Sequence, residues 1–293
     1  MADQRVSARP TSWWLQTLER RRERMQEEHL DLSAPVRWSS AREQAAAVKF
    51  FNAAFRAEES GLRQAHELSD EVKSFDPALA AVLRLYGDEE GWHRQLLTRF
   101  LGFIGGSLQP MGRVTRLFYG LYARAERMET IVLTNLMFET IGSTTYRMAL
   151  ANVEQPALRQ MLTILTRDEA FHVPLNVHFL KYVLARKTRL ERARLKVLHS
   201  LLFVSLLLLP LASRPKAKAF DKIGALQLVR GYARMLDAVF SQTPELGLSS
   251  PRLVLWALGV RGADLGSNDV LATNVEAAEA ASVRSAVQVG ELR

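Results

Sequence analysis

The feature that most constrains this chain is a pair of Glu-x-x-His tetrads, Glu90-Gly91-Trp92-His93 and Glu169-Ala170-Phe171-His172. On a helix, residues three apart share a face. Each tetrad therefore offers a carboxylate oxygen and an imidazole nitrogen to one point, a mixture that iron and manganese accept. One such tetrad is a common accident in a chain with six histidines. Two in matched surroundings are not, and here the surroundings match: Glu59 precedes Glu90 by 31 residues and Glu139 precedes Glu169 by 30.

The midpoint of the first interval falls at Ser74 and Phe75, and that of the second at Glu154, in the turn-like stretch Asn-Val-Glu-Gln-Pro. If antiparallel helices are joined at those points, each upstream Glu lies level with its downstream tetrad. At about 1.5 Å per residue, all four carboxylates then stand roughly 20 Å from their turns.

Periodicity supports the helices this requires. Val48, Phe51, Phe55, Leu62 and Ala65 recur at steps of three and four, predicting a helix over 41–68 that stops in the turn-rich 69–77. Pro77 suits the first turn of a second helix, which carries Leu79, Val82, Leu83, Tyr86 and Leu97 and ends by Gly102. The glycines and Pro110 of 102–112 read as a crossover. A third helix is expected over 114–151, and a fourth from 157 to about 181 unless Pro174 kinks it.

No segment alternates like a strand. The expectation is an all-α chain with extra helices at both ends: an N-terminal arm or peripheral helix in 1–40, packed by Trp13, Trp14 and Leu18; a bundle over 41–184; further helices in 185–263, one near 225–241; and a tail, 264–293, that is a short helix or disordered.

Composition narrows the chemistry. There is no cysteine, which excludes thiolate metal sites, iron–sulfur clusters and disulfides, so a metal must be held by Glu, Asp and His. The net charge of +8 suits an acidic partner, either an acidic carrier protein or an anionic membrane surface. Nucleic acid is disfavoured, because zinc-finger spacing, phosphate loops and aromatic-basic motifs are all missing. Met1 to Pro10 is polar with no apolar signal core, so the expected location is cytoplasmic, with peripheral membrane attachment the variant reading.

The order Glu, Glu-x-x-His, Glu, Glu-x-x-His resembles the ferritin-like di-iron carboxylate superfamily, over about half of the chain. The resemblance implies a four-helix bundle holding two iron ions, or manganese, through Glu59 (or Glu58), Glu90, His93, Glu139, Glu169 and His172. Glu90 and Glu169 would be the bridging, oxygen-activating carboxylates. The choice between Glu58 and Glu59 is internal to the sequence. Phe51 and Leu62 favour Glu58, whereas Phe55, Leu62 and His66 favour Glu59, our preferred reading. Glu89 and Asp168, each preceding a tetrad, are read as partners that orient a ligand histidine.

Ser143 shares a face with Glu139; its hydroxyl either relays a proton or bonds back to its own helix, and the second is the simpler reading. Tyr86 is read as core filling. His29, His66, His178 and His199 are read as packing or surface residues.

The resemblance implies an oxygen-activating oxidoreductase of hydroxylase, N-oxygenase, desaturase or aldehyde-deformylating type. It would act on an organic substrate with dioxygen and an electron donor, and a homodimer is compatible with it. The phrase Asp168-Glu169-x-x-His172-Val173 of the expected fourth helix is similar to that of the amine N-oxygenase branch, but Leu165 stands where that branch carries a further histidine. The alternatives are a ferroxidase or iron-handling protein and a non-catalytic helical binding protein.

The run 197–212 is almost wholly apolar, about 16 residues against the roughly 20 needed to span a bilayer. It reads first as a helix buried against the bundle. Its basic flanks also suit a segment docked on an anionic surface.

Overall fold

The computed structural model describes residues 9–113, 116, 120, 127–212 and 223–260. The expected start of the third helix and the tail lie outside them. Among the described residues the chain is all-α, with eight α-helices, one short 3-10 turn and no strand: α1 Thr11–Glu27, α2 Ala41–Val72, α3 Pro77–Phe103, α4 Met128–Leu150, α5 Pro156–Leu184, α6 Arg189–Ala212, α7 Ala225–Gln242 and α8 Arg252–Ala257, with the 3-10 turn Pro244–Leu246 before α8. They fall into two compact units. The first comprises Ala8–Pro110 and Glu154–Met161, the start of α5. The second holds the described residues of Met111–Val153 and Leu162–Arg293.

In the first unit, α2 and α3 form a hairpin across a short turn. Ser40 caps α2 by accepting from the Glu43 backbone N–H, while the Glu43 carboxylate reaches back to Ser39, a reciprocal cap that fixes where the helix begins. Asp76 accepts from the Leu79 N–H, and Pro77 occupies the first turn of α3, where its missing N–H costs nothing. The helix that the sequence ends near Leu68 runs on to Val72, because Leu68, Ser69 and Val72 are still buried and Ser69 Oγ donates to the Ala80 carbonyl of α3.

The hairpin core is aromatic where it is widest. Phe51 meets Phe100 edge to face at 4.8 Å, an arrangement that adds to the area both rings bury. Helix α1 packs on α3 through Trp14 and Leu18, both fully buried, and through a buried ion pair in which Arg21 Nε donates to Glu89 Oε1 at 2.9 Å. Gln160 ties the following segment down: its Oε1 accepts from the Asp31 N–H and its Nε2 donates to the His29 carbonyl.

In the second unit α4 is buried on nearly every side, with Leu133, Leu136, Met137 and Ala149 shut away from water, as a central helix requires. Its threonines spend their hydroxyls locally: Thr140, Thr144 and Thr145 each donate to the carbonyl four residues back. Helix α7 packs on α4, where Tyr232 and Thr145 share a 2.7 Å hydrogen bond and Gly231 admits Met148, and on α6, where Phe240 meets His199 at 4.2 Å. Helix α5 continues through Pro174 to Leu184.

Candidate metal-binding clusters

Each unit carries one buried cluster of two carboxylates and a histidine. In the first unit these are Glu58 of α2 and Glu90 and His93 of α3, exposed to 1%, 2% and 0%. His93 Nδ1 lies 3.2 Å from Glu58 Oε2, and all three residues offer ligand atoms within 4.8 Å of one another. In the second unit they are Glu139 of α4 and Glu169 and His172 of α5, again buried. His172 Nδ1 stands 3.6 Å from Glu139 Oε2 and 3.8 Å from Glu169 Oε2.

The two clusters repeat the same local design. In each, the upstream Glu meets the tetrad histidine, and a glycine three residues after that Glu faces the tetrad carboxylate. A Cβ on Gly61 would stand 3.1 Å from both Cδ and Oε2 of Glu90; one on Gly142 would stand 3.9 Å from Oε2 of Glu169. The hairpin register deduced from the two turns is therefore present in the side chains.

The choice between Glu58 and Glu59 goes against the sequence preference. Glu58 is buried beside His93, whereas the Glu59 side chain is 39% exposed, accepts from Arg56 at 2.6 Å and lies 3.9 Å from Arg94. The preference failed because Leu62 and His66 sit on the rim of α2 and not in its core; His66 pairs at the surface with Asp88, at 3.0 Å. The buried face runs through Phe51, Ala54, Glu58, Gly61, Ala65 and Leu68. A signal was available in the sequence: Glu58-x-x-Gly61 repeats Glu139-x-x-Gly142, and Glu59 has no such counterpart.

The neighbouring carboxylates have arginine partners. Glu89 is held by Arg21, and Asp168 accepts from Arg167 Nε and Nη2 at 2.8 Å each. Tyr86 is buried in the core, as read. Ser143 differs from expectation. Its Oγ is buried and makes no hydrogen bond, so it does not bond back to α4 as the threonines beside it do. Leu165, at the position of the further histidine in the N-oxygenase branch, is fully buried. His178 and His199 are both held below the ordinary imidazole range, at about 4, by burial, with Lys181 adding to the effect at His178.

The donor set fits a cation. Burying a carboxylate away from water costs several kcal/mol per ion unless a cation or dense hydrogen bonding offsets it. Here each unit buries two carboxylates beside one imidazole. With no thiolate available, such oxygen and nitrogen donors suit iron, manganese or zinc, and the geometry does not choose among them. No protein family, curated protein or solved structure matches the chain.

Proposed function

We propose that the two clusters are the halves of one centre in a ferritin-like four-helix bundle formed by α2, α3, α4 and α5, and that the protein is an oxygen-activating di-iron oxidoreductase acting on an organic substrate. In this reading Glu58, Glu90, His93, Glu139, Glu169 and His172 would hold the two ions. The observation that carries it is the repetition of one buried design, Glu-x-x-Gly against Glu-x-x-His, on two successive helical hairpins.

A bound iron pair would supply electrons for the reduction of dioxygen. The chain's own residues supply the rest. His93 and His172 are fully buried, and the 3.2 Å contact of His93 Nδ1 with Glu58 orients the His93 ring. Phe51, Leu97 and Phe100 in the first unit and Leu136 and Phe171 in the second are closed to solvent. Ser143, one turn after Glu139 and with its hydroxyl uncommitted, would pass a proton in this reading.

The test is metal content. After growth with iron, elemental analysis of the purified chain should find about two irons per chain, and Glu90→Ala and His172→Ala should each lose them while remaining helical. Substrate screening with dioxygen and a reductant then follows. A parent protein without stoichiometric iron or manganese would overturn the reading.

A further inference from the structure

Helix α6 presents a continuous apolar stripe to the outside. Leu190, Val197, Leu201, Val204, Leu208 and Leu211 are exposed to 62%, 63%, 61%, 38%, 54% and 42%. After Leu190 they recur at steps of seven, four, three, four and three, which is one face of a helix. At 1.5 Å per residue the stripe is about 30 Å long. The sequence reading that buried this helix against the bundle is therefore only half right: Leu195, His199, Phe203, Leu206 and Leu207 are buried, and the helix packs on α4 and α7 with that side alone. Its most apolar 18-residue window is 33% buried.

We propose that the outer face of α6 docks in the plane of an anionic lipid surface. The proposal concerns the second unit alone and does not depend on the metal centre. Water-exposed apolar area of this extent and regularity marks a surface made to be covered. What covers it is indicated by charge. Arg186, Arg189, Arg192, Arg194 and Lys196 crowd the start of the helix, all exposed, while the acid among them, Glu191, is taken up by Thr188 and Lys187. From Val197 to Ala212 there is no charged residue, and the sequence beyond brings Arg214, Lys216, Lys218 and Lys222 against Asp221. An apolar stripe between two basic segments matches acyl chains beneath a layer of anionic headgroups.

The same unit adds α8, where Leu253 and Trp256 are 82% and 81% exposed next to Arg252. A tryptophan so exposed is costly in water and well suited to the headgroup level. The net charge of +8 draws the chain toward such a surface from a distance.

Two other occupants fit less well. A spanning helix would need lipid all around it, and one face of α6 is already packed against protein, with His199 and Pro210 buried on it. A second copy packed in parallel would set the arginines of the two α6 helices against each other, and in either direction the stripe offers no acid to receive them.

The experiment is co-sedimentation of the full chain with vesicles of phosphatidylcholine alone or mixed with phosphatidylglycerol, at low and physiological salt. The parent should bind the anionic vesicles at least tenfold better than the neutral ones. L201Q/L208Q should lose at least tenfold on anionic vesicles, and R189Q/R194Q/K196Q should lose the preference for anionic lipid. These positions are exposed, so melting curves should stay close to the parent's. Parent binding that is absent, or unchanged in L201Q/L208Q, overturns the proposal. So does a parent dimer that L201Q/L208Q dissociates without any vesicle binding, which would assign the face to a second copy. Resistance of the bound protein to alkaline carbonate extraction would overturn it in favour of a spanning helix.

Discussion

Gly61 of α2 lies directly against the Glu90 carboxylate of α3: a methyl group placed on it would stand 3.1 Å from both Cδ and Oε2. A glycine in the interior of a 32-residue helix gives up stability, so its presence reflects a close approach, here of the tetrad carboxylate across the hairpin. Gly142 holds the corresponding place against Glu169, with more room.

These two glycines should respond differently to alanine. At an unencumbered helical position the change gains roughly 0.5–1 kcal/mol. Gly142→Ala, whose Cβ would make an ordinary 3.9 Å contact, is expected to show that gain as a higher melting temperature. Gly61→Ala is expected to forfeit it and to reduce bound metal by displacing Glu90. Melting curves and elemental analysis side by side check both, and equal behaviour of the two variants would refute the close-approach argument.

Neighbouring carboxylates on α2 should separate cleanly. Glu58→Gln removes a buried donor beside His93 and is expected to reduce bound metal at least tenfold. Glu59→Gln only frees Arg56 and Arg94 at the surface, an exposed pairing worth about 0.2–1 kcal/mol, and should leave metal content at the parent level. The readout is metal per chain after dialysis.

The Arg21–Glu89 pair, 3% and 2% exposed, fastens α1 to α3. Removing one partner of a buried ion pair costs about 3–5 kcal/mol, because the other charge is left in a poorly solvating place. Arg21→Ala should therefore lower the urea midpoint sharply. Arg21→Met combined with Glu89→Leu should be less destabilised than Arg21→Ala, since no buried charge is then stranded.

Acid should weaken the second unit through His199. Its imidazole is pushed down to about 4 by burial, lies edge-on to Phe240, and its Nε2 finds no hydrogen-bond partner. A folded-state pKa below the unfolded value of 6.5 means that the unfolded chain binds the proton more readily. The stabilisation is full above 6.5 and is lost as pH falls from there toward 4. His199→Phe should flatten the stability–pH profile in that window by roughly 1–3 kcal/mol relative to the parent, measured by urea unfolding at several pH values. An unchanged slope would mean that His199 takes up its proton as readily in the folded protein as in the unfolded chain.

What the sequence determined by itself was local and periodic. Pro77 and the Asn-Val-Glu-Gln-Pro turn set the hairpin centres, and the shared face of residues three apart put each tetrad's Glu and His together. The absence of cysteine fixed the donor chemistry. These follow from helical geometry alone, which is why the register of Glu139 with His172 was legible before any packing was known. The tertiary structure decided which of two adjacent residues faces inward: Leu62 and His66 have the period of a core stripe but lie on its rim, so Glu58 and not Glu59 is buried. It also decided that α6 is covered on one side only. An amphipathic pattern is visible when polar residues mark the outer face; on α6 both faces are apolar, and only the positions of α4 and α7 show which of its leucines meet water.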